Sequence, residues 1–496
     1  MTCNTELEKK AQEIFQQLKQ KDFNLTNPER MKIPQQEMPS QDPKVRARNT
    51  KEVALGYTET QAIVEANRCL SCPTQPCQQG CPVHLPIRDF IQLIAKKDYA
   101  SAIAAIKTQS LLPAVCGRVC PQESQCQKYC TVGKIFKNAE KSVAIGRLER
   151  FVADWERAQG TAAVPTIKPA TGKKVAIIGS GPAGLTAAAD IRREGHEVTL
   201  FEAFHKFGGV MQYGIPEFRL PKSIVTKEVN ALREMGVKMI PNFLIGRTRT
   251  LEELFEKDGF DALFIGIGAG LPNFMGIEGE NLIGVFSANE YLTRANLMRA
   301  YEREKSATPI AISRKVAVLG GGNVAMDSAR TALRLGAEEV HLIYRRSENE
   351  IPARIEEIHH AKEEGVQFHF LCNAKRILGD DKSRVQSIEC LKYELGEPDA
   401  SGRRSPIVIP NSEYTMAVDT VIVAIGNRSN PLIRQTSPSL AFNKKGNLIC
   451  DEDCRTSNPR IFAGGDIVLG AATVILAMGQ GRKAAKAINE LLEKEP

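Results

Sequence analysis

The stretch "KKVAIIGSGPAGLTAAADIRREGHEVTLFEA", residues 173–203, limits the folds open to this chain more than any other. Residues 174–178 predict a buried parallel strand and residues 187–193 a helix. Between them lies a G-x-G-x-x-G turn made by Gly179, Gly181 and Gly184. A second strand ends in Glu202, where a carboxylate can accept hydrogen bonds from a ribose. Although an ordinary strand–helix turn is the alternative, the full pattern predicts a unit that binds a dinucleotide pyrophosphate at a helix N-terminus.

A second unit of this kind begins at Lys315, with "KVAVLGGGNVAMDSARTALRLGAEEVHLIYRRS". Its loop residues are Gly320, Gly321, Gly322, Asn323 and Val324, with Ala325 in the place of the third glycine. The following strand ends in Arg345 and Arg346 instead of an acid. Two guanidiniums at this place fit a 2′-phosphate, so the pattern predicts NADP rather than NAD; a solvated strand end is the alternative.

Two nucleotide loops in one chain are typical of a flavoprotein that also binds a second dinucleotide. The C-terminal "RIFAGGDIVLGAATVILAMGQGRKAAKAI" predicts a strand, two glycines, Asp466 and a helix. In such enzymes this aspartate binds the flavin ribityl chain, and the helix N-terminus near 472–474 faces the flavin. The segments "FIGIGAG" (264–270) and "VIVAIGN" (421–427) are expected to flank the crossings between the two units.

Eight of the 13 cysteines lie between residues 69 and 130, in two spaced sets. The first set, Cys69, Cys72, Cys77 and Cys81, has the spacing C-x2-C-x4-C-x3-C-P. The second set is Cys116, Cys120, Cys126 and Cys130. Cys-Pro within such a run is typical of iron–sulfur loops, although four thiolates also suit zinc and plain structural thiols are a third alternative. Spacing alone makes Cys116 a ligand, and the helical periodicity of residues 85–113 puts the sets at opposite ends of a small helical unit.

Composition limits where the protein works and what it binds. The N-terminus has no apolar signal region and no run is long enough to cross a bilayer, so we expect a cytoplasmic protein with reduced thiols and no membrane contact. The net charge is +8 without a run of basic residues, which argues against nucleic-acid binding. Residues 1–50 are polar and are expected to form a wrapping arm or a partly ordered tail.

The other cysteines offer no clear dithiol route for electrons. They are Cys3, Cys372, Cys390, Cys450 and Cys454. The segment after the first glycine loop contains no cysteine, and neither does "GGGNVAMDSAR". Cys450 and Cys454 could pair, but we interpret them as structural thiols. The N-terminal cysteine region is therefore the expected route by which electrons leave a flavin.

The chain resembles the small (beta) subunit family of NADPH glutamate synthase. Relatives in that family include the large subunit of NADH-dependent ferredoxin:NADP oxidoreductase and the N-terminal half of dihydropyrimidine dehydrogenase. The resemblance covers the chain from about residue 38 to the C-terminus and rests on "AVCGRVCPQESQC", "VAIGRLERFVADW", "YGIPEFRLPK", "GGGNVAMD", "YRRSENEIPAR" and "FAGGDIVLGAATVILAMGQGRKAA".

The resemblance implies two 4Fe–4S clusters in the N-terminal region. One would be bound by Cys69, Cys72, Cys77 and Cys130. The other would be bound by Cys81, Cys120, Cys126 and Glu149, the glutamate being part of "GRLERF". Cys116 would then be a spare thiol, which disagrees with the interpretation from spacing, and here we follow the resemblance.

The implied fold class is α/β, with a helical iron–sulfur domain followed by two Rossmann-like domains. Residues 1–162 would bind the clusters, 163–295 with 430–496 would bind FAD, and the inserted 296–429 would bind NADPH. The FAD residues would be Gly179, Gly181, Pro182, Ala183, Gly184, Glu202, Gly209, Val210, Tyr213, Ile215, Pro216, Gly465, Asp466, Ala472, Thr473 and Val474. The NADP residues would be Gly320, Gly321, Gly322, Asn323, Val324, Arg345, Arg346, Ala424 and Gly426.

The resemblance also implies that NADPH is the cosubstrate and that FAD passes electrons through the clusters to a partner. No side-chain acid or base is required for hydride transfer. The partner would be a large FMN-containing amidotransferase subunit or a small flavin/2Fe–2S subunit, with ferredoxin as a further candidate, in a hetero-oligomer. The alternatives are the large subunit of a bifurcating oxidoreductase and a zinc-stabilised nucleotide-binding module without turnover.

Overall fold

The structure is a computed structural model that describes residues 4–160, 165–400 and 402–494. The described part before residue 161 is helical. Its α-helices are Asn4–Gln20, Asn27–Lys32, Pro43–Arg46, Glu59–Ala66, Pro76–Gln79, Ile87–Ala95, Tyr99–Lys107, Pro113–Val119, Cys126–Tyr129, Thr131–Ile135 and Ile145–Gln159. Two short 3-10 helices, Gln122–Ser124 and Ala139–Lys141, join them near the second cysteine set.

The first α/β unit is built on a five-stranded parallel sheet. From one edge to the other its strands are Ile461–Ala463, Ala262–Ile265, Lys174–Ile178, Glu197–Phe201 and Lys238–Ile240. Its α-helices are Pro182–Arg193, Val210–Tyr213, Lys222–Glu234, Leu251–Glu256, Leu432–Thr436, Asp466–Leu469 and Val474–Lys494. The central strand "KVAII" is apolar because helices cover both faces of the sheet.

The second unit repeats this plan within the first. Its parallel strands are Val285–Ser287, Thr420–Val423, Lys315–Leu319, Glu339–Tyr344 and Gln367–Phe370. The helices are Ala288–Asn296, Asn323–Arg334 and Ile355–Glu363, with a 3-10 turn at Glu348–Glu350. An antiparallel sheet follows, made of Cys372–Gly379, Val385–Pro398, Arg404–Val408 and Tyr414–Ala417.

The chain crosses between the two α/β units at positions that differ from the predicted domain boundaries. Val285–Ser287 pairs with the second sheet, although the resemblance implies that residues up to 295 belong to the first unit. The return crossing carries Asn427–Arg428, which pairs antiparallel with Leu271–Pro272 of the outward crossing. The expected limit at 162–163 lies outside the described residues.

One continuous apolar core joins the helical unit to the first α/β unit. It includes Leu148 and Val115 of the helical unit, Ile177 of the first sheet, and Met478 and Ile488 of the C-terminal helix. Because close-packed interiors deform little, this shared core holds the cysteine region at a fixed place beside the first unit. No helix in the described ranges is both long enough and apolar enough to span a membrane.

Candidate functional site

The first glycine loop leaves no room for larger residues on its inner side. The α-helix Pro182–Arg193 begins one residue after Gly181. A Cβ atom on Gly184 would lie 1.9 Å from the carbonyl oxygen of Gly179, which itself has φ +99°. Only glycine allows this approach, and it brings the first turn of the helix, with its unpaired N–H groups, against the strand end. The loop can therefore receive a pyrophosphate.

Glu202 is held against the same loop. Its carboxylate accepts a hydrogen bond from the backbone N–H of Ser180 at 3.0 Å, one from the Ser180 hydroxyl, and one from the N–H of Phe204 at 2.9 Å. These bonds fix the acid beside the loop, where the pattern predicts a ribose.

The C-terminal segment around Asp466 also lies near the first glycine loop. Asp466 accepts a hydrogen bond from the N–H of Ala472 at 2.9 Å, and burial raises its pKa to about 6. Burial first, and then the nearby charges of Asp466 and Glu202, raise the pKa of Tyr213 to about 12. A Cβ on Gly209 would lie 2.7 Å from the Cα of Gly181. The structure thus gathers at one place residues that are far apart in sequence and that the sequence assigns to FAD.

Lys222 is a functional candidate that is absent from the residues predicted from the sequence. Its ammonium donates hydrogen bonds to the carbonyl oxygens of Met211 at 3.0 Å, Leu220 at 3.1 Å, and Ile215. Burial lowers its pKa to about 7. Lys222 therefore fixes the loop that carries Tyr213, Ile215 and Pro216. Its position could have indicated this role, because Lys222 is the last residue of the family segment "YGIPEFRLPK".

Replacing Gly184 by alanine should displace the flavin. The added methyl would collide with the Gly179 carbonyl, and overpacking of this kind costs about 1–3 kcal/mol or more. That cost corresponds to FAD affinity weaker by about 5- to 150-fold, measured as bound flavin per protein. Gly270→Ala is the matched control, since a Cβ there meets nothing within 4 Å. Equal flavin content in both variants would contradict the assignment of the loop.

The second glycine loop is equally close-packed. A Cβ on Gly320 would lie 2.3 Å from the carbonyl oxygen of Ala424, and one on Gly321 would lie 2.7 Å from the Tyr344 ring. Gly322 faces open space and precedes the helix that begins at Asn323. The loop and the end of the strand Thr420–Val423 therefore form one edge, as expected for a nucleotide site at the carboxyl ends of parallel strands.

The two arginines after the adjacent strand have different surroundings. Arg346 is buried, donates a hydrogen bond to the carbonyl oxygen of Arg404 at 2.7 Å, and pairs with Asp399 at 2.6 Å. Arg345 is exposed beside it. The guanidinium of Arg346 is thus engaged in the fold, and Arg345 is the one that faces solvent.

One set of cysteines lines a single cavity. This distal group consists of Cys69, Cys72, Cys77 and Cys130, and its cavity is otherwise lined mainly by apolar side chains such as Ile87 and Ile91. Burial raises the pKa of Cys77 to about 12, with further contributions from the charges of Cys130, Cys69 and Cys72. Four converging thiols in an apolar cavity suit a cluster that neutralises their charges.

A second set surrounds a buried carboxyl group. This proximal group consists of Cys81, Cys116, Cys120, Cys126 and Glu149, all of them buried. Oε1 of Glu149 has no hydrogen-bond partner among the described residues, and burial alone raises the pKa of this carboxyl to about 8. If ionised, this carboxyl would add to the rise in pKa of the four buried thiols of the group. Burying a carboxyl oxygen without a hydrogen bond costs free energy unless the oxygen binds a cation. The proximal group therefore fits a metal cluster.

The spacing and the resemblance disagree over Cys116, whose thiol lies 3.5 Å from the sulfur of Met478 on the C-terminal helix. Within the described ranges, no three His, Cys, Asp or Glu side chains are close enough to bind one metal ion. An iron–sulfur cluster distributes its protein ligands over four iron atoms, and so needs them farther apart than a single tetrahedral ion does.

The two groups and the nucleotide loops lie in a definite order. The proximal group adjoins the N-terminal end of Val474–Lys494, where the Gln125 amide donates to the Thr473 hydroxyl at 3.3 Å. The helix Cys126–Tyr129, which carries Cys126 of the proximal group, packs against the helix Pro76–Gln79, which carries Cys77 of the distal group. The distal group is partly exposed. The order is therefore predicted flavin site, proximal group, distal group, surface.

Comparison with known families and proteins covers nearly the whole chain. Residues 173–484 match the family Pyridine nucleotide-disulphide oxidoreductase, and residues 46–161 match Dihydroprymidine dehydrogenase domain II, 4Fe-4S cluster. The Glutamate synthase [NADPH] small chain of Halomonas elongata is 36% identical over 91% of this chain and 95% of its own length. That of Escherichia coli is 36% identical over 92% and 96%.

Another relative is longer, and the solved structures are more distant. The NADP(+)-dependent formate dehydrogenase subunit beta of Moorella thermoacetica is 39% identical over 85% of this chain, which spans 60% of that relative. Mycobacterium tuberculosis FprA in complex with NADPH has a TM-score of 0.53 and 21% identity, over 65% of this chain and 84% of FprA, which supports the fold. The chain belongs to the pyridine nucleotide-disulphide oxidoreductase family and, with its N-terminal 4Fe–4S domain, to the family of the glutamate synthase NADPH small chains, as the sequence predicted for the second of these.

Proposed function

We propose that this oxidoreductase moves electrons from NADPH, bound at residues 320–324, to FAD, bound at residues 179–184, and then through two 4Fe–4S clusters to a partner. The observation that carries this proposal is the order of the groups, from Thr473 through the proximal group to the distal group. A bound flavin accepts a hydride and releases single electrons, which clusters accept one at a time.

The residues of the chain would position these cofactors. Ser180 holds Glu202 where it would accept hydrogen bonds from the FAD ribose, and Lys222 fixes the loop of Tyr213, which would lie beside the flavin ring. Cys69, Cys72, Cys77 and Cys130 would bind the distal cluster. Cys81, Cys120, Cys126 and Glu149 would bind the proximal one, with Cys116 spare. The shared apolar core would keep water away from the proximal cluster and maintain the distance to the flavin.

The partner would be a larger FMN-containing subunit of the glutamate synthase kind, or a small flavin/2Fe–2S subunit, in a cytoplasmic hetero-oligomer. The relatives named small chain support the first, because they match this chain over almost their entire length. Because the chain spans 60% of the formate dehydrogenase subunit, assembly with a dehydrogenase is less well supported.

Anaerobic purification and visible spectroscopy test this function. We expect a brown protein with FAD and about eight iron atoms per chain, since each of two clusters holds four. NADPH should bleach the flavin absorbance faster than NADH does. A yellow protein without iron would contradict the cluster route, and about four iron atoms would reduce the proposal to one cluster. A colourless protein would support the zinc-stabilised alternative.

Arg345→Ala should reduce the preference for NADPH. A charge-assisted bond to phosphate contributes about 1.5–3 kcal/mol, so the KM for NADPH should rise by about 10- to 150-fold while that for NADH stays the same. Arg384→Ala, an exposed arginine of the same unit, is the control. Steady-state kinetics with both nucleotides measure this. If the KM values for NADPH and NADH rose together, Arg345 would not bind the 2′-phosphate.

A further inference from the structure

Arg354 of the second α/β unit reaches across to the helical unit beside the proximal group. It is the last residue of the segment "YRRSENEIPAR", and its side chain is 7% exposed. Its guanidinium donates hydrogen bonds to the carbonyl oxygen of Arg118 at 2.9 Å and to the amide oxygen of Gln122 at 3.1 Å. These two residues stand two positions before and two positions after Cys120, so the guanidinium spans the segment that carries this cysteine.

Gln122 also contacts the helix that carries Glu149. This helix is Ile145–Gln159, and Gly146 lies in its first turn. A Cβ on Gly146 would lie 2.0 Å from the amide nitrogen of Gln122, so the glutamine side chain packs directly against the helix backbone. Arg354 is therefore one contact removed from the segment of Cys120 and from the helix of Glu149, which lie on two sides of the proximal group.

The position of Arg354 is fixed from its own unit as well. Its backbone N–H donates a hydrogen bond to the side-chain oxygen of Asn323 at 2.9 Å, and Asn323 belongs to the second glycine loop. Two acids accompany the guanidinium. Its Nη2 lies 3.1 Å from a carboxylate oxygen of Glu356, and its Nε lies 3.7 Å from one of Glu123. The positive charge is therefore held in one place and is partly balanced, most closely by Glu356.

We propose that Arg354 is a positioning residue of the proximal cluster, which holds the segment of Cys120 and makes the cluster easier to reduce. The proposal rests on the proposed function, because it concerns a cluster bound by Cys120 and Glu149. Reduction adds one electron and transfers no atom, so the cluster gains one negative charge. A guanidinium fixed beside a buried cluster stabilises that charge, because electrostatic interactions are strong where water is excluded. A proximal cluster that is easier to reduce favours electron transfer from the flavin.

Redox titration of the complete protein with its cofactors, followed by electron paramagnetic resonance, measures the midpoint potential of each cluster. The proximal signal is identified as the one that Cys120→Ala removes. In Arg354→Gln we expect the equilibrium constant for reduction of the proximal cluster to fall by about tenfold, equivalent to a midpoint lower by about 59 mV for one electron. The midpoint of the distal cluster should stay the same, because the guanidinium contacts the proximal side.

Glu356→Gln separates the charge of Arg354 from its packing. Loss of this acid leaves the guanidinium less balanced, so the proximal midpoint should rise, whereas Arg354→Gln lowers it. The double variant Arg354→Gln/Glu356→Gln removes one charge of each sign and should return the midpoint towards the wild-type value. Arg354→Lys keeps the charge and should stay close to the wild type. A purely structural role of Arg354 would not produce shifts of opposite sign that cancel in the double variant.

Arg376→Gln is the control, because this arginine of the same unit pairs with Glu389 in the antiparallel sheet, and both midpoints should stay the same. Reduction of the neutral quinone menadione by NADPH reports the flavin in every variant. If the wild type showed both cluster signals and reduced menadione, but Arg354→Gln and Glu356→Gln left the proximal midpoint unchanged, this role of Arg354 would be refuted while the proposed function stood. If Arg354→Gln lost the cluster, an unchanged midpoint in Glu356→Gln would refute it in the same way. A wild type without cluster signals would overturn both proposals.

Discussion

Cys120→Ala should stop electron transfer beyond the flavin, whereas Cys116→Ala should not. Cys120 is one of the three thiols expected to bind the proximal cluster, and Cys116 lies against Met478. Changes outside the ligand shell of a metal site already cost about 10- to 100-fold, so loss of a ligand should lower transfer to a protein acceptor by about 100-fold or more. Both thiols are buried and differ little in volume from alanine, so the two variants form a matched pair.

Glu149→Gln tests the fourth ligand in the same experiment. Glutamine keeps the shape of the side chain but cannot ionise to the carboxylate that would bind the cluster. Iron content and the electron paramagnetic resonance of the reduced protein should show an altered or missing cluster, with menadione reduction by NADPH retained. If Cys116→Ala lost the cluster and Glu149→Gln kept it unchanged, the assignment from cysteine spacing would be correct instead.

Local features of this molecule could be predicted from sequence. The strand at 174–178 and the glycine turn after it are set by residues close together in the chain. The same holds for the second loop and for the helices around the cysteines. These features follow from strand burial, from the space that glycine allows and from helical periodicity, each of which acts over about ten to twenty residues.

Contacts between distant segments could not be predicted in this way. The partner of Arg346 is Asp399, which lies in the antiparallel sheet, so the sequence around the arginine gives no sign of it. Glu149 was assigned through family resemblance, because a single glutamate in a helix carries no ligand signal of its own. Val285–Ser287 joins the second sheet because its partner Thr420–Val423 returns from far along the chain.

The N-terminal arm ends in an ion cluster that is buried except for Glu363, and no local sequence pattern predicts it. This interdomain cluster consists of Arg46 of the arm and Arg330, Arg334, Glu363 and Glu364 of the second α/β unit. Glu364 accepts hydrogen bonds from Arg46 at 2.9 Å, from Arg330 at 2.7 Å and from Arg334 at 2.7 Å. The Phe218 ring, from the first unit, lies 3.8 Å from the guanidinium of Arg334. The cluster therefore joins all three parts of the chain.

Glu364→Gln should lower the stability of the protein by about 3–5 kcal/mol, because it leaves three buried guanidiniums without their shared carboxylate. Urea unfolding followed by circular dichroism measures the shift in the midpoint. Glu338→Gln is the control, because Glu338 pairs with Arg314 on the same unit but in solvent, where the ion pair contributes little to stability. Equal midpoints in the two variants would show that the interdomain cluster does not hold the units together.

The pH dependence of unfolding gives a second test of the same cluster. Burial opposes ionisation of Glu364, but the guanidiniums of Arg330 and Arg334 overcome it and hold its pKa far below the usual range. A carboxyl group with a lowered pKa contributes stability that is present above its unfolded pKa, about 4.5, and is lost as the pH falls through its folded value. The wild type should therefore lose stability below about pH 4.5 more steeply than Glu364→Gln, which has no proton to take up at this site. Parallel stability curves for the two proteins in this acid range would contradict the role given to Glu364.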